Sequence, residues 1–377
     1  MSTSQIEQLA ELVNRSRIRR IKVVAWRDLD DPEAGGSELH AGEVLRRWAQ
    51  AGLDITQRTS AVSGQPHETV RDGYRVVRRD GRYRIFAEVV REGFRRSEPT
   101  YDAVVEIWNG MPFFSPVWFR GPRTVWLHHV HGEMWQMTLP GLLGRIGWFI
   151  EHRLAPLFYR RSVIATLSAS SEQEIHERLH LSRTTVIPPG ISNFYRIGGV
   201  KTIEPTVVAV GRLVPVKRFD LLIREFVATR VLSPNARLII AGEGYLRGEL
   251  EQLIDELDAG DFISLVGRIS DEELLRLYQS AWVVASASLR EGWGMSLTEA
   301  AACGTPCVAT DIAGHRDSVS VNRSGLLVPD SSIGQTIAHV LLDAELRQRL
   351  SDGAVAYASE LSWDHTAKRL FELLDRS

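Results

Sequence analysis

The chain has 377 residues, 44% hydrophobic and 24% charged, with 45 Lys plus Arg against 47 Asp plus Glu and a net charge of −2. That is more chain than one hydrophobic core usually serves, so two domains of roughly 180 residues each are expected. The near balance of charge supplies no general attraction to nucleic acid, and no such partner is expected. Two cysteines, Cys303 and Cys307 in ACGTPC, form neither a disulfide framework nor a zinc set and read as small packing residues.

The opening MSTSQIEQLAELVNRSRIRR is polar and lacks the apolar run of a signal peptide. The first strand signal is IKVVAW (21–26), an apolar run of the buried parallel kind. A loop, RDLDDPEAGGSE, leads to a helix over about 37–50, with Gly52 where a helix favours a closing glycine. Strand candidates follow at YRVVRR (74–79), AVVEIW (103–108), TVWLHH (124–129) and VIATLS (163–168), with helical patterns between several of them. The greasiest stretch, Leu139 to Tyr159, is broken by Arg145, Glu151, His152 and Arg153, so no bilayer span is expected and a cytoplasmic location follows. VIPPGISNFYRIGGVKTIEP, rich in Pro and Gly, reads as an interdomain linker.

A second alternating series starts near Thr206: TVVAVG (206–211), ARLIIAG (236–242), FISLVG (262–267), AWVVASAS (281–288) and PCVAT (306–310). Ser270 and Glu273 form a capping box for a helix ending near Ser280. A last amphipathic helix runs over about 363–374. Strand and helix alternation in both halves predicts α/β architecture: two doubly wound Rossmann-like domains facing a central cleft, with ligands at the carboxyl ends of the strands.

The richest stretch for chemistry is SASLREGWGMSLTEAAACGTPCVAT (286–310), a strand, a glycine loop and a helix beginning near Met295. Helix-start N–H groups and the helix dipole favour an anion, and Gly292 and Gly294 let backbone approach it. Glu291 in the loop and Glu299 in the helix suit two hydroxyl-rich ends of a ligand joined by phosphates. In VAVGRLVPVKRFD (208–220), Arg212 and Lys217 stand at a strand end, where they can neutralise a diphosphate. Gly35 and Gly36 occupy the position of a phosphate-binding turn without the GxGxxG pattern. His128, His129 and His131 follow another strand and can contact a sugar hydroxyl or shuttle a proton. They lack the partners of a metal site. Asp28-Leu29-Asp30 has the DxD pattern of metal-dependent transferases, yet it sits in an acidic turn and reads as turn chemistry or an acceptor contact.

Taken together, GG-x-E (35–38), GRL with KR downstream (211–218), GEG (242–244) and the E-x7-E stretch resemble the retaining family 4 glycosyltransferases of GT-B fold. The resemblance runs from Ile21 to the terminal helix. It implies a nucleotide-sugar donor as co-substrate, no metal cofactor, and a hexosyl group, from UDP-glucose, another UDP-hexose or GDP-mannose, passed with retention to a saccharide, lipid or small-molecule acceptor. On this reading Glu291 faces the sugar, Glu299 the ribose, and Arg212 and Lys217 the diphosphate. Gly36 with Gly35, and the backbone at Gly294, Met295 and Ser296, approach the donor, while Gly242, Gly244 and Arg268 lie near the base. The strand-ending histidine of such enzymes falls on His128, with His131 as a rival. Trp293 stands where a phenylalanine is usual.

The implied domains are 1–195 for the acceptor, 196–355 for the donor, and a terminal helix, 356–377, returning to the first domain. The acceptor is expected near WNGMPFF (108–114) and HGEMWQMTLPGLLGRIGWF (131–149), whose aromatics can stack on sugars or touch lipid, which would allow peripheral contact with the inner face of a membrane. A nucleotide-sugar epimerase of the same fold and a catalytically silent nucleotide-sugar-binding scaffold are the alternatives.

Overall fold

A computed structural model describes residues 5–95, 100–132, 134–139 and 141–377. Met1 to Ser4 of the opening segment, and Glu133 and Pro140 of the expected acceptor segment, lie outside the described residues. The chain divides into two compact units, Met1–Gly190 with Ser362–Ser377, and Ile191–Leu361.

In unit one the described residues build an eight-stranded sheet from β1 (Arg20–Val24), β2 (Asp54–Thr59), β3 (Glu68–Arg71), β4 (Tyr74–Arg78), β5 (Ala103–Trp108), β6 (Arg123–Leu127), β7 (Val163–Thr166) and β8 (Thr184–Val186). Their order is β3-β4-β2-β1-β5-β6-β7-β8. Neighbours run parallel except the β3/β4 pair. The chain winds outward in opposite directions from β1 and β5, which places a crevice at the carboxyl ends of those two strands.

Strands β1, β4, β5, β6 and β7 stand where the apolar runs predict them. β2 does not announce itself, because DITQRT is polar although all but its first residue are buried. Its Arg58 meets Glu92, on the helix Ile85–Gly93, at 2.8 Å and pairs with Asp80 just after β4, so the buried charge is compensated. The helix Gly36–Gln50 closes on Gly52 at φ 97°, the left-handed conformation expected of that glycine.

The terminal helix Trp363–Asp375 belongs to unit one and packs on the helices Gln5–Arg15 and Gly36–Gln50. Trp48 donates its indole N–H to the Ala367 carbonyl at 2.9 Å and lies edge-on to both Trp126 and Phe371. Arg47 pairs with Asp364 at the helix start.

In unit two the strands are β9 (Thr206–Val210), β10 (Arg237–Ala241), β11 (Ile263–Gly267), β12 (Val283–Ser286), β13 (Cys307–Thr310) and β14 (Gly325–Val328). They form a parallel sheet in the order β11-β10-β9-β12-β13-β14 among the described residues. Its switch point lies between β9 and β12. Five strands match the predicted runs, and β14, which opens on glycine, is not among them. The capping box at Ser270 forms as read: its hydroxyl accepts from Glu273 N at 3.2 Å, and Glu273 accepts from Ser270 N at 2.8 Å. Both cysteines are buried and free.

Phe371 is fully buried among the residues that join the last helix to unit one. Phe371→Ala should therefore lower stability by about 3–5 kcal/mol, read by urea unfolding at equilibrium. A loss under about 1 kcal/mol would show that the helix is not an anchored part of this core.

Candidate active site

The loops that leave β9 and β12 carry the acidic and basic groups of unit two, and those strands are paired neighbours at the switch point. Lys217, from the turn after β9, meets Glu291, from the loop after β12, at 2.5 Å. Ser288 also donates to Glu291, at 2.8 Å. Burial raises the Glu291 carboxyl, but Lys217, with His315 and Ser288, outweighs it and holds the group below its ordinary value. Arg212 is exposed beside them, with no side-chain hydrogen bond or ion pair among the described residues.

Gly294 sits at φ 110° immediately before the helix Met295–Ala302, a conformation that glycine alone adopts readily. Met295 and Ser296 open that helix, so their N–H groups have no partner inside it. The Ser318 hydroxyl, buried and without a hydrogen-bond partner, lies 3.1 Å from where a Gly294 Cβ would stand. Trp293 is buried beneath the loop, its indole N–H also unpartnered. One turn into the helix, Glu299 is buried and accepts from the Tyr278 hydroxyl at 3.1 Å, while burial pushes its carboxyl up to about 7.

The GEG glycines serve a packing need. A Cβ on Gly242 would stand 1.9 Å from the Gly211 carbonyl oxygen, and one on Gly244 would stand 2.3 Å from that of Leu213. The loop after β10 therefore lies directly against the Gly211–Leu213 backbone, with Leu213 N donating to the Glu243 carbonyl at 2.9 Å. Arg268, just beyond β11, is exposed.

In unit one Gly35 precedes the helix Gly36–Gln50, and its N–H is met by Glu38 at 2.8 Å. Glu38 in turn pairs with Arg27 at 3.2 Å. Asp28 and Asp30 are held by arginines: Arg78 reaches Asp28 at 2.8 Å and Asp30 at 2.5 Å, and Arg71 pairs with Asp30 as well. Asp28 also accepts from Asp30 N at 2.9 Å, a local turn bond. These carboxylates are spent inside the unit.

The structure separates the three histidines. His128 is buried, with Nδ1 3.0 Å from the Ser37 hydroxyl and Nε2 3.3 Å from His40 Nδ1. Burial pushes His40 down to about 3 and His128 well below its ordinary value, so both are neutral. This directs the His128 ring into the interior, because both its nitrogens are engaged there. His131 stacks on His129, touches Trp135, and borders a cavity of about 450 Å³ also lined by Trp26, Phe86, Met111 and Phe114. That cavity lies at the carboxyl ends of β1, β5 and β6.

Two buried carboxylates shape its walls. Glu106 accepts from Phe113 N at 2.7 Å, Ser115 N at 3.0 Å and the Tyr159 hydroxyl at 2.6 Å. Glu151 accepts from His131 N at 2.9 Å, Gly132 N at 3.1 Å and the Trp135 indole at 2.9 Å. Glu151 lies in a single wide turn of π-helix, Ile150–Leu154, a geometry found often beside functional sites. Sequence reading passed over both, since a carboxylate inside an apolar run signals only an interruption. It also passed over His315, a lone histidine whose Nδ1–H donates to the Thr310 carbonyl at 2.8 Å while Nε2 faces Ser286 at 3.1 Å.

Comparison with known proteins gives the family and the fold. Residues 34–193 match the family described as Glycosyltransferase Family 4, and residues 193–356 match Glycosyl transferases group 1. The D-inositol 3-phosphate glycosyltransferase of Mycolicibacterium smegmatis is 30% identical over 66% of this chain and 67% of its own. The protein of the same name from Jonesia denitrificans is 27% identical over 92% of each chain. Among solved structures, sucrose-phosphate synthase from Thermosynechococcus elongatus superposes with a TM-score of 0.76 at 19% identity, covering 94% of this chain and 98% of its own. HepE of Anabaena, solved in complex with UDP-glucose, gives 0.73 at 18% identity over 95% and 100%. Two parallel-sheet α/β units of this kind define a GT-B glycosyltransferase. The chain belongs to glycosyltransferase family 4.

The buried Glu151 gives a pH signature. Burial, outweighing its three donors, pushes the carboxyl from 4.5 up to about 7. A raised carboxylate favours the folded state while protonated, so its contribution is full below about 4.5 and is lost as pH rises through about 7. Glu299 titrates with the same sign and stays in place. Glu151→Gln should therefore remove a downward slope worth about 1–3 kcal/mol across that window, measured by unfolding at a series of pH values. Parallel curves for the two proteins would refute the raised carboxylate.

Proposed function

We propose that this glycosyltransferase is a retaining, metal-independent enzyme that moves a hexosyl group from a nucleotide diphosphate sugar to an acceptor hydroxyl. The observation that carries the proposal is the meeting, at the switch point of unit two, of Lys217, Glu291 and a helix start, with Arg212 uncommitted beside them. Arg212 and the N–H groups at Met295 and Ser296 supply positive potential for a diphosphate, and Lys217, neutralised by Glu291, adds a positioned donor. Negative charge grows there as the sugar departs, and contacts strongest at that moment lower the barrier. Glu291 is kept ionised by its neighbours and accepts from sugar hydroxyls; Glu299, facing Tyr278, accepts from the ribose. Gly242, Gly244 and Arg268 border the base.

Metal independence rests on those cations, and on the DxD carboxylates being committed to Arg71 and Arg78. UDP-glucose, which HepE of Anabaena holds, or another UDP-hexose is the favoured donor, with GDP-mannose next. The departing phosphate takes the acceptor proton on the same face, which retains configuration. We assign the sugar-facing imidazole to His131, because His128 is turned inward. D-inositol 3-phosphate is the named acceptor of several relatives, but no Lys or Arg lines the cavity beside His131 among the described residues, and we do not transfer it. A saccharide, lipid or small molecule bearing a hydroxyl, met at or near the inner face of a membrane in the cytoplasm, is the acceptor class.

Two measurements test the donor side. A nucleotide sugar at about 100–1,000 times its Kd should raise stability by about 2–4 kcal/mol, with no change on adding EDTA. Stabilisation that depends on a divalent metal, or none from any nucleotide sugar, would sink the assignment. Arg212→Ala should lower kcat/KM for the donor by about 10²–10³, and a change under threefold would remove that residue from the diphosphate.

A further inference from the structure

We propose that the acceptor is a lipid drawn from an anionic membrane, its apolar portion lodged in the cavity of unit one and its hydroxyl at His131. The proposal rests on the transfer reading above and names the substrate that reading leaves open. Binding cavities are usually apolar with a few placed polar groups, and this one follows that rule closely. Trp26, Phe86, Val90, Met111, Phe114 and Trp135 form most of its wall. Its polar groups are few, chiefly Asn109 and His131, and both stand at strand ends where the sheet presents its ligands. A phosphorylated or multiply hydroxylated acceptor filling this volume would lose hydrogen bonds to water that the wall does not replace. An alkyl or isoprenoid chain loses none.

A second observation identifies the source. Trp135, in that wall, packs against Gly144 and Gly147 of the helix Leu142–Phe149, which is followed by Ile150–Leu154 and Ala155–Tyr159. That run leaves Leu142 71%, Leu143 60%, Phe149 55% and Leu157 57% exposed, along with Ile146, Trp148 and Phe158. So many exposed large apolar side chains within one short run are uncommon on a protein meeting only water. Arg145, Arg153, Arg160 and Arg161 are exposed among these residues, while Glu151, the one acid between Gly141 and Arg161, is buried. Apolar side chains with interleaved cations and no exposed acid within the run itself complement an anionic lipid surface. No helix among the described residues is long and apolar enough to cross a membrane, so the contact is with the interface.

The test uses the full chain and two probes. In sedimentation with vesicles, the protein should bind mixed phosphatidylglycerol and phosphatidylcholine at least about tenfold more tightly than phosphatidylcholine alone, and added salt should weaken binding. The double substitution Ile146→Glu with Phe149→Glu, both at exposed positions, should weaken vesicle binding by about tenfold or more and leave binding of 1-dodecanol in equilibrium dialysis unchanged. Ala87→Trp, at an exposed lining position, should do the reverse: dodecanol binding falls about tenfold while vesicle binding stays. Absence of vesicle binding overturns the proposal even where dodecanol binds, since the apolar acceptor would then be a soluble one. Dodecanol binding unchanged by Ala87→Trp overturns it as well. Stabilisation by nucleotide sugar, followed on the same samples, separates the readings. If it persists while lipid binding fails, the lipid proposal alone falls; if it is absent, the transfer reading falls.

Discussion

A loop leaving the carboxyl end of a buried parallel strand carries N–H groups that must be satisfied from within if its outer face is to meet a ligand. Most of what is distinctive here follows from that constraint. Unit one meets it with carboxylates. Glu106, on β5, gathers two N–H groups of the loop that follows its own strand, and Glu151 gathers two from the loop after β6. Neither has a guanidinium or ammonium against it in these contacts, so each is held by neutral donors in a dry interior, where such bonds are strong and losing one is costly. Unit two meets the same constraint with backbone. Gly211 N bonds the Ala241 carbonyl and Gly242 N bonds that of Gly267, so the ends of β9, β10 and β11 are tied to one another. Glycines at 242 and 244 make that approach sterically possible.

This difference explains what could be read in advance. Unit two's device is written in residue types that stand out: glycines at strand ends, an unmatched arginine, and glutamates eight apart across a loop and helix start. The candidate donor residues were therefore legible, as were the strands around them. Unit one's device is written in residues that look like errors. Glu151 interrupts a greasy stretch, and Glu106 sits in the middle of a six-residue strand buried throughout. Only the fold shows that each is where a loop needs an acceptor. β2 escaped notice for a related reason, since Arg58 and Thr59 are buried against Asp28, Asp80 and Glu92, which are distant in sequence.

The histidines show the limit most directly. In TVWLHHVH, position along the strand suggests His128, but alternation and register decide which ring faces inward, and a strand end offers no periodicity to reveal it. Helix Gly36–Gln50 places Ser37 and His40 to receive the His128 ring. The next two histidines are displaced outward as a stacked pair, and Glu151 clamps the backbone of the second. A residue's outward orientation thus depends on a helix about ninety positions earlier and on a carboxylate twenty positions later.

The same logic bears on the charges of unit two. Lys217 and Glu291 neutralise each other at a distance where neither would be tolerated alone at such burial. The pair therefore contributes little net potential and a good deal of geometry: it fixes the loop after β12 against the turn after β9. Among the described residues, Arg212 stands uncompensated at those strand ends, reinforced by the helix start behind Gly294. An anion approaching this surface meets one exposed guanidinium, a set of helix-start N–H groups, and a lysine that can share its protons between carboxylate and ligand without leaving its place. For a group whose charge rises during reaction, that division is favourable. On the proposed transfer, the fixed N–H groups would need no reorganisation, and the lysine's strongest partner would change from Glu291 to the leaving group as charge moves.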